Sequence, residues 1–381
     1  MALCSTKKDF CFSVILLTVC VWLGFMVVIW FPELLPHLKS KRAIDKGIYR
    51  QEADDYKSNS SLHKDAVHVC ITSDKNTIGG MVALINSIYS NTKHHVFFHL
   101  VLDAESQDHL RIWIETTKLK DIHYQIKVFP ETWVKGKIKV RGGRQDLAKP
   151  LNYARYYLPK LFPDIKGRVL FIDDDSIVQV GFSSECSSAS RRLTLMKVSS
   201  VGGLYDMKLS PGHAVGFSSE CSSASRRLTL MKNNYADYID FKSKKIKEMK
   251  IDPTECAFNT GVFIADLDLW RKFNITNQLL HWLELNTKEE IYGNERGGGG
   301  SQPPMMIVFY KKYTNIDPGW HVRYLGWTSG TSYTKQFIRM AKLLHWNGRF
   351  KPWGRVSQHK DVWLKYYIED PTGKFKPARK N

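Results

Sequence analysis

An alternation constrains this chain more than any other feature. Short apolar runs rich in β-branched residues are followed by stretches of helical period, and two of the runs stop abruptly at carboxylates. "AVHVCITSD" (66–74) reads as a buried strand, and "GGMVALINSIYSN" (79–91) as a helix with Met81, Leu84, Ile85 and Ile88 on one face. "HHVFFHLVLD" (94–103) and "RVLFID" (168–173) read as further strands, and "DHLRIWIETTKL" (108–119) and "KPLNYARYYLPKLF" (149–162) as further helices. Strands alternating with helices predict an α/β domain with a mostly parallel central sheet. Ligands of such sheets bind beyond the carboxyl ends of the strands. Both "CITSD" and "LFIDDD" deliver their carboxylates to that edge.

Asp173 and Asp175 are two apart at a strand exit, so an extended backbone sends them to one side and Asp174 to the other. Two carboxylates so placed, with phosphate oxygens completing the shell, suit a hard divalent cation, Mn²⁺ or Mg²⁺. Asp174 is left to hydrogen-bond locally or to meet a ribose. Two readings compete with a metal site. One is an acidic strand-to-turn transition. The other is a phosphatase strand of the haloacid dehalogenase type, which carries Thr or Val four residues after its first Asp, where this chain has Ile177. A second constellation, "LLHWNGRFKPWG" (343–354), supplies what a metal-diphosphate site needs. His345 is a candidate ligand through a neutral ring nitrogen. Gly348 permits close backbone approach to a phosphate, and Lys351 offers it a point charge.

The chain has 381 residues and a formal net charge of +19. Its Lys and Arg residues are spread without a dominant basic block, so no nucleic-acid partner is expected. An anionic substrate such as a nucleotide, or an acidic membrane surface, accounts for the excess. Phe10–Phe31 holds no charge over 22 residues, enough to cross a hydrocarbon core of about 30 Å. No small-residue cleavage site follows, so it is read as an uncleaved signal anchor (10–31) between a tail (1–9) and a stem (32–65), with the body at 66–381. Lys39, Lys41, Arg42 and Lys46 outnumber Lys7 and Lys8, which by charge alone would place the body in the cytosol. Two acceptor tripeptides for glycosylation, at Asn59 and Asn274, argue for the lumen. The expectation is a single-pass type II protein of the Golgi or ER membrane, its body lumenal. There Cys221 and Cys256 can form a disulfide; none of the seven cysteines belongs to a CxxC pair, so no zinc site is expected.

"VGFSSECSSASRRLTLMK" occurs at 180–197 and again, letter for letter, at 215–232. A solenoid would show diverged copies and at least three of them. Two identical copies indicate a recent duplication or an error of sequence assembly. The second follows "LSPGHA" naturally, so the first is read as the insert and as an irregular surface loop.

"AFNTGVF" (257–263), "NITNQL" (274–279), "PPMMIVFY" (303–310), "HWNGRFKPWG" (345–354) and "DPTGKF" (370–375) complete a pattern. From about Val67 to the C-terminus, the inserted copy apart, the chain resembles glycosyltransferase family 8, the group containing glycogenin and bacterial lipopolysaccharide galactosyltransferases, and most of all its animal glycosyltransferase 8 domain-containing members. The resemblance implies a Rossmann-like GT-A fold, a UDP-sugar donor, hexosyl transfer to a glycan or protein acceptor, and retention of anomeric configuration. It implies Mn²⁺ (or Mg²⁺) on Asp173, Asp175 and His345, with Gly348 and Lys351 at the diphosphate. By the same likeness Thr72, Asp74 and Asn76 hold the uridine, Arg155 lies near the donor, and Asn259 and Gly261 lie near the donor sugar.

The chain departs from the family at one place. Many members carry an Asp-Gln pair before the segment matching "MMIVFY", with the Gln near the reacting carbon. Here the segment reads "SQPPMM", and the register puts Pro303 or Pro304 at the Gln position. Gln302 is the nearest amide and the one catalytic candidate. The alternative is a relative that kept the donor pocket, binds a nucleotide sugar or glycan, and transfers nothing. The sugar, the acceptor and the oligomeric state are not specified by the sequence.

Overall fold

The computed structural model describes residues 65–141, 145–179, 182–185, 194–197, 201–219, 233–293, 300–327 and 333–378. The chain divides into Met1–Leu62 and His63–Asn381, and all described residues belong to the second unit. The expected tail and anchor, nearly all of the stem, and the Asn59 tripeptide lie outside the described residues. Among the described residues no helix is long and apolar enough to cross a membrane.

β1 (Val67–Ser73) and β2 (Val96–Leu102) are buried at every position, as strands covered on both faces must be. Between them runs α1 (Ile78–Asn91); α2 (Gln107–Glu115) then leads to β3 (His123–Val128). β4 (Arg168–Ile172) pairs parallel to β1. β5 (Ser176–Val178) leaves the main sheet. Among the described residues, β6 (Phe182–Glu185) and β7 (Thr194–Lys197) pair only with each other. β8 (Val215–Ser219), β9 (Phe258–Asp266) and β10 (Thr314–Asn315) complete the main sheet, with α3 (Ile275–Lys288) and α4 (Gln302–Val308) between the last two. β11 (Leu343–His345) pairs antiparallel to β5.

The main sheet has the order β10-β8-β9-β4-β1-β2-β3. Only β9 runs against its neighbours, β4 and β8, so the expected mostly parallel α/β sheet is present. Alternation along β4 divides the core. Leu170 and Ile172 pack with Ile71, Trp113 and α1 on one face, while Val169 and Phe171 pack with Phe217, Phe263 and α4 on the other.

Two expectations are corrected. Residues 149–162 do not form one α-helix: Pro150–Tyr157 is a 3₁₀ helix, followed by a short α-helix at Leu158–Leu161. Pro159 has no N–H to give the carbonyl of Arg155, so an α ladder cannot run through. The first copy of the duplicated segment is not simply an irregular loop, because its two ends form the β6–β7 ladder, from Phe182↔Lys197 to Glu185↔Thr194. The second copy opens with the same letters, "VGFSS", yet these form β8 between β10 and β9. Pairing partners, not local sequence, decide between the two structures.

The segment at 370–375 closes the fold. Asp370 is buried and accepts from His109 Nε2 at 2.9 Å, Phe375 N at 2.7 Å, and the amide and hydroxyl of Thr372, both at 2.9 Å. Phe375 then fills the space over Gly79, where a Cβ would lie 2.1 Å from its ring. Burial pushes the Asp370 carboxyl up, but the bonds from Phe375 and Thr372 outweigh it and hold the pKa below the ordinary value. A depressed carboxylate contributes stability above its unfolded pKa of roughly 4 and loses it as pH falls through the folded value. Asp370→Ala is expected to cost about 3 kcal/mol at neutral pH, and Asp370→Asn to flatten the acid side of the stability curve; thermal unfolding against pH checks both.

Candidate active site

β4 ends at Ile172, and Asp173–Asp175 form a turn rather than further strand. The turn has a structural reason. Beyond it, β5 leaves the main sheet to pair with β11, in a register that sets His345 opposite Ser176. His345 is therefore brought beside Asp175 by strand pairing across about 170 residues of chain. Its Nε2 lies 3.0 Å from Asp175 Oδ1 and 3.8 Å from Asp173 Oδ2. One ligand atom from each of Asp173, Asp175 and His345 falls within 4.8 Å of the others.

Each carboxylate of the turn has its own partner. Arg155 donates from one terminal nitrogen to Asp173 at 2.8 Å and from the other to the Thr260 carbonyl at 2.6 Å, and its guanidinium lies 4.5 Å from the Phe171 ring centre. Ser73 Oγ donates to Asp174 at 2.6 Å, so Asp174 takes the local hydrogen bond. Lys351 pairs with Asp175. Burial pushes Asp173 up, against the pull of Arg155. Asp174 is pushed well up by burial and by Asp175 beside it. Asp175 feels the same burial, but Lys351 and His345 outweigh it and hold its carboxyl well below the usual range.

Three features fit a cation. Asp175 Oδ1 is buried and faces Nε2 of His345 at 3.0 Å, so two atoms of ligand type border one space. Gly261 leaves the needed room: a Cβ there would sit 2.3 Å from His345 Cε1 and 2.6 Å from Asp173 Oδ2. The donor set of two carboxylates and one imidazole is of a kind that binds divalent cations.

The other expected residues fall around this centre. Asn259 accepts from the amide of Gly261 at 2.8 Å, and its own amide donates to Gln302 Oε1 at 3.2 Å. Gln302 thus stands against the "FNTG" strand although the sequence register puts a proline at the family's Gln position. Thr72, Asp74 and Asn76 lie at the exit of β1, where Asp74 accepts from Asn76 N at 2.8 Å and pairs with Lys149. Gly348 has φ +114°, and a Cβ there would lie 2.7 Å from the Gly326 carbonyl and 2.8 Å from Trp327 Nε1, so backbone conformation and packing demand glycine. Asn274 is exposed at the start of α3. Cys256 is disulfide-bonded; its expected partner, Cys221, lies outside the described residues.

Sequence reasoning missed Ser73, Lys149, Gly80 and His321. Only Gly80 carried a signal, as half of the "GG" that opens α1. A Cβ on it would lie 2.6 Å from the Asp174 carbonyl and 2.4 Å from Trp353, so the helix seats the acidic turn directly.

Known structures share this fold. The galactosyltransferase LgtC in complex with donor and acceptor sugar analogues aligns with 81% of this chain and all of its own, at a TM-score of 0.55 and 14% identity. The WbbM bifunctional glycosyltransferase aligns with 81% of this chain and half of its own, at 0.54 and 18%. The profile of "Glycosyl transferase family 8" matches residues 68–186 and 194–357; its interruption falls within the first duplicated copy. The human "Glycosyltransferase 8 domain-containing protein 1" is 38% identical over 377 residues, 97% of this chain and 96% of its own. The rat protein of that name is 38% identical over 346 residues, 88% of each chain. The chain belongs to glycosyltransferase family 8, and its sheet and crossovers are those of the GT-A fold.

Gly261→Ala is expected to leave the fold intact but to abolish measurable Mn²⁺ binding, because the new methyl enters the space between His345 and Asp173. Calorimetric titration with Mn²⁺ checks this, and wild-type affinity in the variant would contradict it.

Proposed function

We propose that the protein is a metal-dependent hexosyltransferase that moves a sugar from a UDP-sugar to a glycan or protein acceptor with retention of configuration. The convergence of Asp173, Asp175 and His345 around the side-chain-free space at Gly261, with Lys351 alongside, carries this reading. Those three residues would hold Mn²⁺ or Mg²⁺, which would supply positive charge against a diphosphate leaving group. Lys351 adds a second fixed charge, so departure needs no general acid. With attack from the same face as departure, the leaving phosphate accepts the proton of the acceptor hydroxyl, and no strong base is required. Thr72, Asp74 and Asn76, at the exit of β1, hold the uridine. Arg155 holds Asp173 and orders the carbonyl of Thr260 beside the sugar motif. Gln302, which accepts from the Asn259 amide at 3.2 Å, is the candidate amide for the reacting carbon. The uncharged run at 10–31 and the two glycosylation tripeptides support a type II protein with its body in the Golgi or ER lumen.

A second reading rests on the sequence register, which puts Pro303 or Pro304 where many family members carry the Gln: a binder of nucleotide sugar that does not turn over. Incubating the purified protein with a panel of UDP-sugars and Mn²⁺ separates the two. Transfer or donor hydrolysis is expected, falling on the order of 100- to 1,000-fold in Asp173→Ala and Asp175→Ala, the size of losing one electrostatic stabiliser. Full activity in both variants contradicts the metal mechanism. Tight UDP binding with no hydrolysis or transfer selects the binder.

A further inference from the structure

The two ring nitrogens of His345 face different neighbours. Nε2 looks toward Asp175 and Asp173. Nδ1 lies 2.9 Å from Nε2 of His321, and the two rings stack with centres 5.1 Å apart and planes 21° apart. Both residues are 2% exposed. The backbone sets this pairing, because Val322 N donates to the Leu343 carbonyl at 3.0 Å and His345 N to the Val322 carbonyl at 2.8 Å. The segment carrying His321 therefore runs beside β11.

Two nitrogens at hydrogen-bond distance share one proton. In one arrangement His345 donates from Nδ1 and presents the Nε2 lone pair to the carboxylates. In the other His321 donates, and His345 carries its proton on Nε2, aimed at Asp175. Only the first leaves a nitrogen able to ligate a cation. A bound cation requires the first; without one, Nε2 lies 3.0 Å from Asp175 Oδ1, where the second would make its hydrogen bond. Among the described residues His321 Nδ1 is buried without a partner. An unsatisfied buried polar atom is a cost that a space-filling apolar residue would avoid, so filling space does not account for His321.

We propose that His321 is a positioning residue for the cation: it accepts the Nδ1 proton of His345 and so holds Nε2 of His345 open as a metal ligand. This rests on the metal reading of the site. Ligand histidines ordinarily donate their second nitrogen to a carboxylate, carbonyl or water; here a second imidazole takes that place.

The test measures Mn²⁺ affinity of the full chain from the electron paramagnetic resonance of free Mn²⁺. His321→Leu is expected to bind about 10- to 100-fold more weakly than wild type. His321→Gln, whose side-chain carbonyl can accept the same proton, is expected to return to within a small factor of wild type, and both variants to unfold without metal at or above the wild-type temperature. Wild-type affinity in His321→Leu, or a His321→Gln as weak as His321→Leu, overturns the proposal. If His321→Leu fails to fold, nitrogen NMR of histidine-labelled wild type with Mg²⁺ decides: a proton on Nδ1 of His345 supports the proposal, and a proton on Nε2 overturns it. A wild type that binds no Mn²⁺, and behaves as His345→Ala does, removes the metal reading itself and this inference with it.

Discussion

Everything around the site depends on holding three carboxylates in one turn. Asp173, Asp174 and Asp175 repel one another, and burial penalises each charge further. The fold answers with a separate counterweight for each. Arg155 comes from the 3₁₀ segment, Ser73 from the end of β1, and Lys351 with His345 from the far end of the sequence. The compensation is uneven: only Asp175 is held well below the ordinary carboxylate range, while Asp173 and Asp174 are pushed up. A divalent cation bound between Asp173 and Asp175 would remove that imbalance. The like charges that the turn must offset are the ones such a cation would bridge.

That arrangement explains the small second sheet. Had β4 continued straight, Asp173 and Asp175 would have shared a strand face, but His345 would have had no route to them. The turn lets β5 depart and pair with β11, and that register delivers His345. Glycines pack the assembly from both sides. Gly80 admits the Asp174 carbonyl and Trp353 against α1, while Gly261 leaves open the space that His345 and Asp173 border. The closure at Asp370 and Phe375 holds the C-terminal segment against the helix that seats the turn.

Much of this was legible in the sequence. Buried parallel strands announce themselves as continuous apolar runs, so β1, β2 and β4 were readable, and their carboxyl ends located the site. Asp173, Asp175, His345 and Lys351 were readable because each stands in a dense, unusual string. His321 and Lys149 were not, because a single His or Lys in ordinary surroundings acquires meaning only when the fold supplies its partner. Arg155 was expected near the donor; its pairing with Asp173 comes from a 3₁₀ segment that the helical pattern concealed. Identical letters in β6 and β8 mark the limit of local reading, since one copy found a place in the main sheet and the other only itself.

The central claim is that Asp173, Asp175 and His345 form one metal centre. Diffraction from crystals grown with Mn²⁺ and UDP, recorded at the manganese absorption edge, tests it most directly. The account predicts an anomalous peak within coordination distance of one oxygen from each aspartate and of Nε2 of His345, with the diphosphate on its open side. A peak elsewhere, or UDP bound at the strand ends with no metal between it and these three residues, would contradict the account.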